Sequence, residues 1–456
     1  MRLKRRKAQG VDQEKETSVL PGGGAQEATD FDWIASLAKQ RKGEKLHNLM
    51  RFFSPKNLCQ AYDEISGSRA VGSDGITKEQ YGKRLEEHLQ ELHGRMRQMA
   101  YRPSPARVVQ IPKPDGKKRE IAISNFEDKL VQKIAADILT AIYDRTFQRF
   151  SFGFRPKRSC HGAIGYLYNK LRRHLLPWVV DVDLKNFFGT IDHQKLLEIL
   201  ALRISDQRFL RLIARMLKAG ILVEGNCQET NLGTPQGSIV SPILANIFLH
   251  HALDEWFVTT IRPELGGEMV RYADDVVAAF ASEEKAGEFV KRLEERLAGY
   301  GLSLNRDKTQ TVRFDRNSDQ RGTFDFLGFT FFWGQWIGAL TLKVRTSMRT
   351  LQKKIQDFTH WIRSNRSRLD LDTLWELVDL KLQGHYQYFG VAWNRGKLWS
   401  FYHKVIGNLF RWLNRRSQKQ SYSWSGFQMR LKSLPLTLPA ESRDLIQLTD
   451  PRWYNA

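Results

Sequence analysis

The stretch Val270-Arg-Tyr-Ala-Asp-Asp-Val-Val277 places two adjacent acids between short apolar runs. Runs rich in valine are typical of β-strands, so Asp274 and Asp275 are predicted to lie at the tip of a hairpin. Removing two like charges from water is costly, and a divalent cation bound by the carboxylate oxygens would offset that cost. An exposed Asp-Asp turn without a function, which is common in hairpins, is the alternative interpretation.

A second apolar strand with embedded acids lies upstream, in Trp178-Val-Val-Asp-Val-Asp-Leu184. Asp181 and Asp183 are two residues apart, so in a strand their side chains point to the same face. Acids from two separate strands can share metal ions. Nucleotidyl transfer needs such an arrangement, in which one Mg²⁺ activates a 3′-hydroxyl and the other holds the triphosphate and the leaving pyrophosphate.

Three motifs in a fixed order carry a family resemblance. Asp183 is followed by Gly233-Thr-Pro-Gln-Gly-Ser-Ile-Val-Ser-Pro242 and then by Tyr-Ala-Asp-Asp at 272–275. This order resembles the palm of a group II intron reverse transcriptase (maturase) of the bacterial type, without the C-terminal endonuclease domain of some members. The resemblance implies an α+β right-hand polymerase, with fingers and palm and with an all-α thumb/maturase domain.

The resemblance also assigns the acids. It implies that Asp183, Asp274 and Asp275 are the catalytic residues and the ligands of two Mg²⁺ ions, for which Mn²⁺ is a possible substitute. Asp181 fits less well, because the family's spacing to the downstream aromatic residue points to Asp183.

Charge and composition restrict the classes of partner. The 456 residues carry a formal net charge of +22 with 41% hydrophobic residues, which indicates a folded protein that binds nucleic acid. Solubility or an anionic membrane surface are the alternative explanations of the charge. Three widely spaced cysteines exclude a disulfide framework and a CxxC zinc site, and no apolar run reaches membrane-spanning length. The few cysteines suggest a reducing compartment, and the resemblance implies a bacterial cytosolic protein, associated with the nucleoid when it acts on DNA, with no membrane partner.

Five residues are candidates for contacts with the incoming nucleotide. The run 106–123 predicts a hairpin with a Pro-Asp-Gly turn at 114–116, which places Lys113 and Arg119 on opposite strands. The resemblance implies that both contact the triphosphate; an ordinary basic hairpin is the alternative. It further implies that Phe188 blocks a 2′-hydroxyl and that Gln236 lies beside the nucleotide. Lys308 would protonate or stabilise pyrophosphate.

Two of these assignments have structural alternatives. Either Phe187 or Phe188 is expected to belong to the core, and Lys308 is equally well explained as a surface lysine.

Other residues are candidates for contacts with nucleic acid. Ser151-Phe-Gly-Phe-Arg-Pro-Lys-Arg-Ser-Cys-His161 matches a family motif, in which Arg155 and Arg158 approach the template backbone. Phe324-Asp-Phe-Leu-Gly-Phe329 resembles the hairpin that holds the primer end, and Gly328 within it is a candidate contact. Downstream of residue 340, helices with one apolar stripe are predicted to offer a basic face to RNA, and a solvated face is the alternative. The basic residues concerned are Lys353, Lys354, Arg411, Arg415 and Arg416.

Domain boundaries follow from these motifs. We predict a disordered basic arm at 1–29, an N-terminal extension at 30–100, fingers at 101–178 and a palm at 179–338. An α-helical thumb/maturase domain at 339–435 and a C-terminal tail at 436–456 follow, and the resemblance covers roughly residues 45–435.

The function implied by the resemblance is RNA-directed DNA synthesis, together with binding of the protein's own intron RNA to assist splicing and mobility. The partners would be a group II intron RNA or another RNA template, a DNA target or primer, and dNTPs. Two rivals stay open: a host-adopted reverse transcriptase in defence or DNA repair, and an RNA-binding splicing cofactor whose polymerase has lapsed.

Overall fold

The computed structural model describes residues 29–41, 43–112, 118–173, 176–223, 226–228, 232–319, 321–416, 422–440 and 443–447. The predicted arm at 1–29 lies outside this range apart from Thr29, whose hydroxyl accepts a hydrogen bond from the Asp32 N–H and caps the first helix. Lys113 and the predicted Pro-Asp-Gly turn also lie outside it.

Helices and small sheets are mixed along the chain, which confirms the α+β class. The first helices are α1 Asp30–Gln40, a 3₁₀ turn at Leu49–Phe52, α2 Pro55–Glu64, α3 Lys78–Gly82, α4 Leu85–Arg97, α5 Phe126–Tyr143 and α6 Cys160–Arg173. The next are α7 Phe187–Thr190, α8 His193–Ala201, α9 Gln207–Lys218, α10 Ser241–Leu249, α11 Arg262–Leu265 and α12 Glu283–Ala298. The last are α13 Met348–Asn365, α14 Leu371–Phe389, α15 Arg395–Leu413 and α16 Trp424–Ser433.

The strands form three sheets in the described part of the chain. They are β1 Ala106–Pro112, β2 Lys118–Ile123, β3 Trp178–Asp183, β4 Ile221–Val223, β5 Asn226–Gln228, β6 Glu268–Tyr272, β7 Asp275–Phe280, β8 Gln310–Arg313, β9 Phe324–Phe326, β10 Phe329–Trp336 and β11 Ala339–Thr346. The strand orders are β2-β1-β4-β5, β6-β7-β3-β8 and β11-β10-β9.

The central sheet, β6-β7-β3-β8, is antiparallel throughout. Val179, Val180 and Val182 of β3 are all buried, so side chains on both faces of this strand are covered by protein. Helix α12 packs on the sheet through an apolar stripe that includes Phe289 and Leu293. The acids at the end of β3 are thus carried by a rigid element, because the strand that bears them has no exposed apolar face.

A turn precedes the last strand of the central sheet. Regular pairing of β8 with β3 begins at Gln310, opposite Asp181. Leu304 makes a single bridge with Leu184, and the Lys308 N–H closes a turn onto the Asn305 carbonyl. This turn places Lys308 beside the end of β3.

The predicted palm–thumb boundary at 338/339 falls at the turn of a hairpin. Strands β10 and β11 pair over their whole length, from Phe329 opposite Thr346 to Trp336 opposite Ala339. The helical region begins at Met348, where the Ser347 hydroxyl accepts from the Thr350 N–H.

Candidate active site

The two acidic segments come together at one end of the central sheet. The pairing of β3 with β7 sets Asp183 directly opposite Asp275, and β6 and β7 are joined by the short turn Ala273-Asp274. Ala273 has a φ of 58°, in the left-handed region that alanine seldom occupies. The predicted hairpin with acids at its tip is therefore present, and acids separated by 90 residues of chain lie on adjacent strands.

The pKa values of Asp274 and Asp275 are raised, first by burial and then by neighbouring carboxylates. Loss of solvation in the cleft, followed by repulsion from Asp274, Asp181 and Asp183, raises the pKa of Asp275 to about 7. Burial and then repulsion from Asp183 raise the pKa of Asp274, and Arg119 partly offsets this effect. Negative charge is thus concentrated at this end of the sheet, and a cation would relieve the repulsion.

The donor set has the chemistry of a hard-cation site. Carboxylate oxygens are the ligands that Mg²⁺ and Mn²⁺ prefer. Among the described residues, no cysteine or histidine is grouped with these acids as a ligand for a softer metal. Among the described residues, no group of three or more acidic, histidine or cysteine side chains is already closed into a metal cage. The acids therefore have the ligand type and the strand register that a divalent cation site needs. Their carboxylates would have to move closer together to bind a cation.

A cavity of about 670 Å³ opens beside Asp183 and Asp274. Its wall contains every described residue for which a nucleotide contact was predicted: Arg119, Phe188, Gln236 and Lys308. Lys113, the remaining candidate, lies outside the described residues. The tertiary structure thus gathers side chains from four separate segments around one opening.

The two aromatic residues after β3 take different positions. Phe187 is buried, whereas Phe188 is half-buried and packs edge-on against it with ring centroids 5.3 Å apart. Asn186, with a φ of 47°, caps the short helix α7 that carries both rings. Both phenylalanines line the cavity, and Phe187 is the one whose side chain is buried in the core.

Lys308 and Gln236 line the same cavity as Asp183 and Asp274. The Lys308 ammonium lies 3.9 Å from an Asp183 carboxylate oxygen, and both side chains are substantially exposed. The Gln236 carbonyl accepts a hydrogen bond from the Ala122 N–H at 2.6 Å, which ties the 233–238 loop to β2. A side chain at Gly237 would collide with the Ala122 carbonyl, so the loop can approach β2 only with glycine there.

A buried arginine supports the acidic turn, and sequence reasoning did not identify it. All five N–H groups of Arg271 donate inside the protein: two to Asp254 at 2.8 and 2.5 Å, and one each to the Asn246 amide oxygen, the Ser151 hydroxyl and the Ala273 carbonyl. Arg271 and Asp254 are both fully buried. The signal that could have revealed it is an arginine inside an apolar strand, because such a charge must be paired.

A second cavity, of about 940 Å³, lies on the other side of Asp183 and Asp275. Lys353, Lys354 and Gly328, all predicted to contact nucleic acid, line it. Gly328 has a φ of 81° at the turn between β9 and β10, and both lysines are exposed on α13. Three of the predicted nucleic-acid contacts are thus adjacent to the acids.

The role predicted for Arg155 is corrected by the structure. Its guanidinium is buried and donates to the Asp144 carboxylate and to the carbonyls of Asp144, Gln148 and Ser151. Arg158 donates to the Arg149 carbonyl, and burial followed by repulsion from Arg155 lowers its pKa to about 10. These arginines hold the motif's own loop together, because a guanidinium with several backbone acceptors nearby is satisfied without a phosphate.

The three arginines near residue 415 lie away from both cavities, at the end of α15. Arg411 and Arg415 are exposed, and Arg415 also lies over the Trp412 ring at 5.3 Å. Arg416 is half-buried and donates to the Leu369 carbonyl. His161, whose motif suggested a structural contact, is within 2.7 Å of the Tyr388 carbonyl and so links α6 to α14.

Comparison with known proteins defines the class first. Residues 111–331 match the family model described as reverse transcriptase (RNA-dependent DNA polymerase), so this segment is similar to a reverse transcriptase domain. It contains all three acids and both strands that carry them.

Within that class the chain is related to group II intron-encoded proteins, which confirms the resemblance inferred from the motifs. It is 37% identical over 219 residues to the group II intron-encoded protein LtrA of Lactococcus lactis, covering 48% of this chain and 36% of LtrA. It is 36% identical over 224 residues to protein YkfC of Escherichia coli, covering 48% and 59%. The nuclear intron maturase 4, mitochondrial, of Arabidopsis thaliana is 23% identical over 214 residues, covering 47% and 26%. In each case the match spans less than two thirds of the relative.

No helix in the described part of the chain combines the length and the apolar character needed to cross a membrane.

Proposed function

We propose that this protein is an RNA-directed DNA polymerase of the group II intron type, which copies RNA into DNA and binds its intron RNA to assist splicing and mobility. One observation carries the proposal: Asp183 lies opposite Asp275 on adjacent strands, next to Asp274, at the mouth of a cavity lined by Arg119 and Lys308. Acids that would bind metal ions and cations that would bind a triphosphate therefore share one opening, as nucleotidyl transfer requires.

The proposed architecture is a right hand. The central sheet would be the palm, the sheet β2-β1-β4-β5 the fingers, and the helices α13 to α16 the thumb/maturase domain. The cavity lined by Asp183 and Asp275 on one side and by Lys353 and Lys354 on the other supports this assignment, since a primer end would lie between palm and thumb.

Asp183, Asp274 and Asp275 would hold two Mg²⁺ ions, or Mn²⁺ in their place. When bound, the ions would lower the pKa of the primer 3′-hydroxyl and neutralise negative charge on the leaving pyrophosphate. Arg119 and Lys308 would hold the triphosphate, Gln236 would lie beside the new base pair, and Phe188 would exclude a 2′-hydroxyl.

The wider partners are proposed on the same basis. Intron RNA or another RNA would serve as template, DNA as target or primer, and dNTPs as substrates. Lys353, Lys354 and the Gly328 turn would contact the primer strand, and Arg411, Arg415 and Arg416 would contact RNA beyond the cavities. A steep loss of RNA affinity with salt is expected, since each neutralised phosphate releases counterions.

Primer extension on an RNA template with Mg²⁺ tests the proposal. The wild-type protein should extend a DNA primer, and Asp274→Ala should lose at least about 100-fold in rate because one metal ligand is missing. Asp307→Ala is the matched control: Asp307 is an exposed acid near the same openings, outside the paired strands. No template-dependent product from the wild type would contradict the proposal and favour the RNA-binding cofactor.

A further inference from the structure

The β10–β11 hairpin has one buried and one open face. Side chains alternate along each strand, and the inner face places four residues in the core: Phe329, Phe331, Leu342 and Val344. On the outer face Phe332 lies opposite Lys343, and Trp336 lies opposite Ala339. Trp336 is 53% exposed, and Phe332 is half-buried. The outer face therefore exposes aromatic rings that contribute little to the core.

Cations lie against these rings. The Arg345 guanidinium carbon is 4.5 Å from the centroid of Phe332. The Lys343 ammonium lies 5.0 Å from the centroid of Trp393 and 5.7 Å from that of Trp336, beside two indoles that pack edge-on with centroids 5.0 Å apart. We call these five residues, Phe332, Trp336, Lys343, Arg345 and Trp393, the aromatic–basic face.

The tip of the hairpin adds an apolar side chain that the fold does not bury. Strand β10 ends at Trp336 and β11 begins at Ala339, so the turn has two residues, Ile337 with a φ of 48° and Gly338 with a φ of 74°. A turn with positive φ at both positions favours Asn or Gly at the first, and a β-branched residue is strained there. Ile337 is nevertheless 87% exposed. Ile337 is therefore strained and exposed, and its side chain does not pack in the folded chain. A ligand bound beside Trp336 would give this side chain a surface to pack against.

We propose that the aromatic–basic face binds single-stranded RNA. Unstacked bases stack on aromatic rings whatever their sequence, and interleaved cations contact the phosphates between them. The net charge of +22 favours a polyanion. A lipid surface fits less well, because the apolar part of the face is confined to Trp336, Ile337 and their immediate neighbours.

The aromatic–basic face begins beside the second cavity, the one lined by Asp183, Asp275 and Lys353. Asp325 lines that cavity, its carboxylate accepts from the Thr330 hydroxyl, and Thr330 lies opposite Arg345 in the sheet. RNA bound here would therefore lie next to the cleft without filling it. The choice of RNA over DNA rests on the proposed function, and also on the loops and bulges in which RNA displays unstacked bases.

Photocrosslinking with a short single-stranded RNA containing 5-iodouridine tests the site on the full chain. Crosslinks are expected in the tryptic peptides 322–343 and 382–395, which contain Trp336 and Trp393. Trp336→Ala should lower the crosslink yield and weaken binding of the RNA about tenfold, the loss of one base–aromatic stack. Trp336→Phe should restore most of the binding, since a ring suffices for stacking.

Trp424→Ala is the matched control, because Trp424 is 48% exposed on α16 and should leave the crosslinks unchanged. Thermal melting of each variant excludes misfolding as the cause. Crosslinks confined to other peptides, or wild-type affinity in Trp336→Ala, would overturn the proposal. Equal affinity for DNA of the same sequence would overturn the choice of RNA. If Trp336→Ala lost binding to anionic vesicles but kept the wild-type affinity for RNA, the face would be a membrane contact instead.

The failure of this proposal differs from that of the proposed function. Trp336→Ala should still extend a primer on a short unstructured template, because Trp336 lies eight residues from Gly328, at the far end of β10. Crosslinks without any primer extension by the wild type would contradict only the polymerase. Extension without crosslinks to the face would contradict only the site.

Discussion

Arg271 and Asp254 form an ion pair in which neither side chain has any exposed surface. Burial alone would raise the pKa of Asp254, but the charge of Arg271 outweighs it and holds the pKa below its usual value. The same guanidinium donates to the Ala273 carbonyl, one residue before Asp274. The backbone of the acidic turn is thus fixed by a charge pair beneath it, which we infer positions the catalytic acids.

Arg271→Lys tests that role. Lysine keeps the charge but cannot supply five N–H donors in a planar fork, so Asn246, Ser151 or Ala273 loses its partner. We expect the free energy of unfolding to fall by about 3 kcal/mol, as when a buried pair is disrupted. We also expect kcat for primer extension to fall at least about tenfold, with a higher Mg²⁺ requirement and little change in KM for dNTP.

Arg292→Lys serves as the control for Arg271→Lys, because Arg292 pairs with Glu288 at the surface, where such pairs contribute little. An Arg271→Lys protein that melts earlier but keeps the wild-type kcat and Mg²⁺ dependence would contradict a positioning role.

Metal binding should stabilise the protein through the paired acids. Without metal, Asp275→Asn removes one of the repelling charges, and we expect the Tm in EDTA to rise by roughly 2 °C. Added Mg²⁺ should raise the Tm of the wild type and have much less effect on Asp275→Asn, because a ligand is lost. Differential scanning fluorimetry across a Mg²⁺ series measures both effects. A wild-type Tm independent of Mg²⁺ and Mn²⁺ would contradict the metal site.

Phe188 should control sugar selection. Phe188 lines the cavity together with Asp183, so Phe188→Ala opens space where we propose that a 2′-hydroxyl would lie. We expect the preference for dNTP over rNTP, as a ratio of kcat/KM values, to fall roughly 10- to 100-fold. Phe187→Leu is the control: Phe187 lines the same cavity but is buried, so the change should lower stability and leave selectivity intact. Unchanged discrimination in Phe188→Ala would assign the ring to packing alone.

His385 makes stability depend on pH. It stacks on Phe401 with centroids 3.7 Å apart, and burial, followed by the charge of Lys354, lowers its pKa to about 3. In the unfolded chain this histidine has an ordinary pKa near 6.5, so it binds a proton more readily than in the folded protein. The free energy of unfolding therefore falls as the pH drops below about 6.5. Between pH 7 and pH 5 this loss is about 2 kcal/mol.

Urea unfolding of His385→Gln should show a smaller loss over that pH range than the wild type. His403→Gln, at an exposed position on α15, provides the comparison and should behave like the wild type. Identical pH dependence in His385→Gln and the wild type would contradict the neutral buried histidine.

Sequence reasoning predicted the α+β class and the two acid-bearing strands, because valine-rich runs are local signals. The resemblance also named Arg119, Phe188, Gln236 and Lys308, which the fold brings around one cavity. The sequence did not reveal that the loop around Arg155 supplies its own acceptors, or that pairing of β10 with β11 makes residues 338 and 339 part of a hairpin.

The amino-acid sequence by itself determined which residues could bind metal and where strands and helices would form, since residue type and local pattern carry that information. Only the tertiary structure decided that Asp183 lies opposite Asp275, that Phe187 rather than Phe188 is buried, and that Arg271 is paired beneath the turn. Strand register and the pairing of buried charges depend on contacts between residues far apart along the chain, which no local pattern specifies.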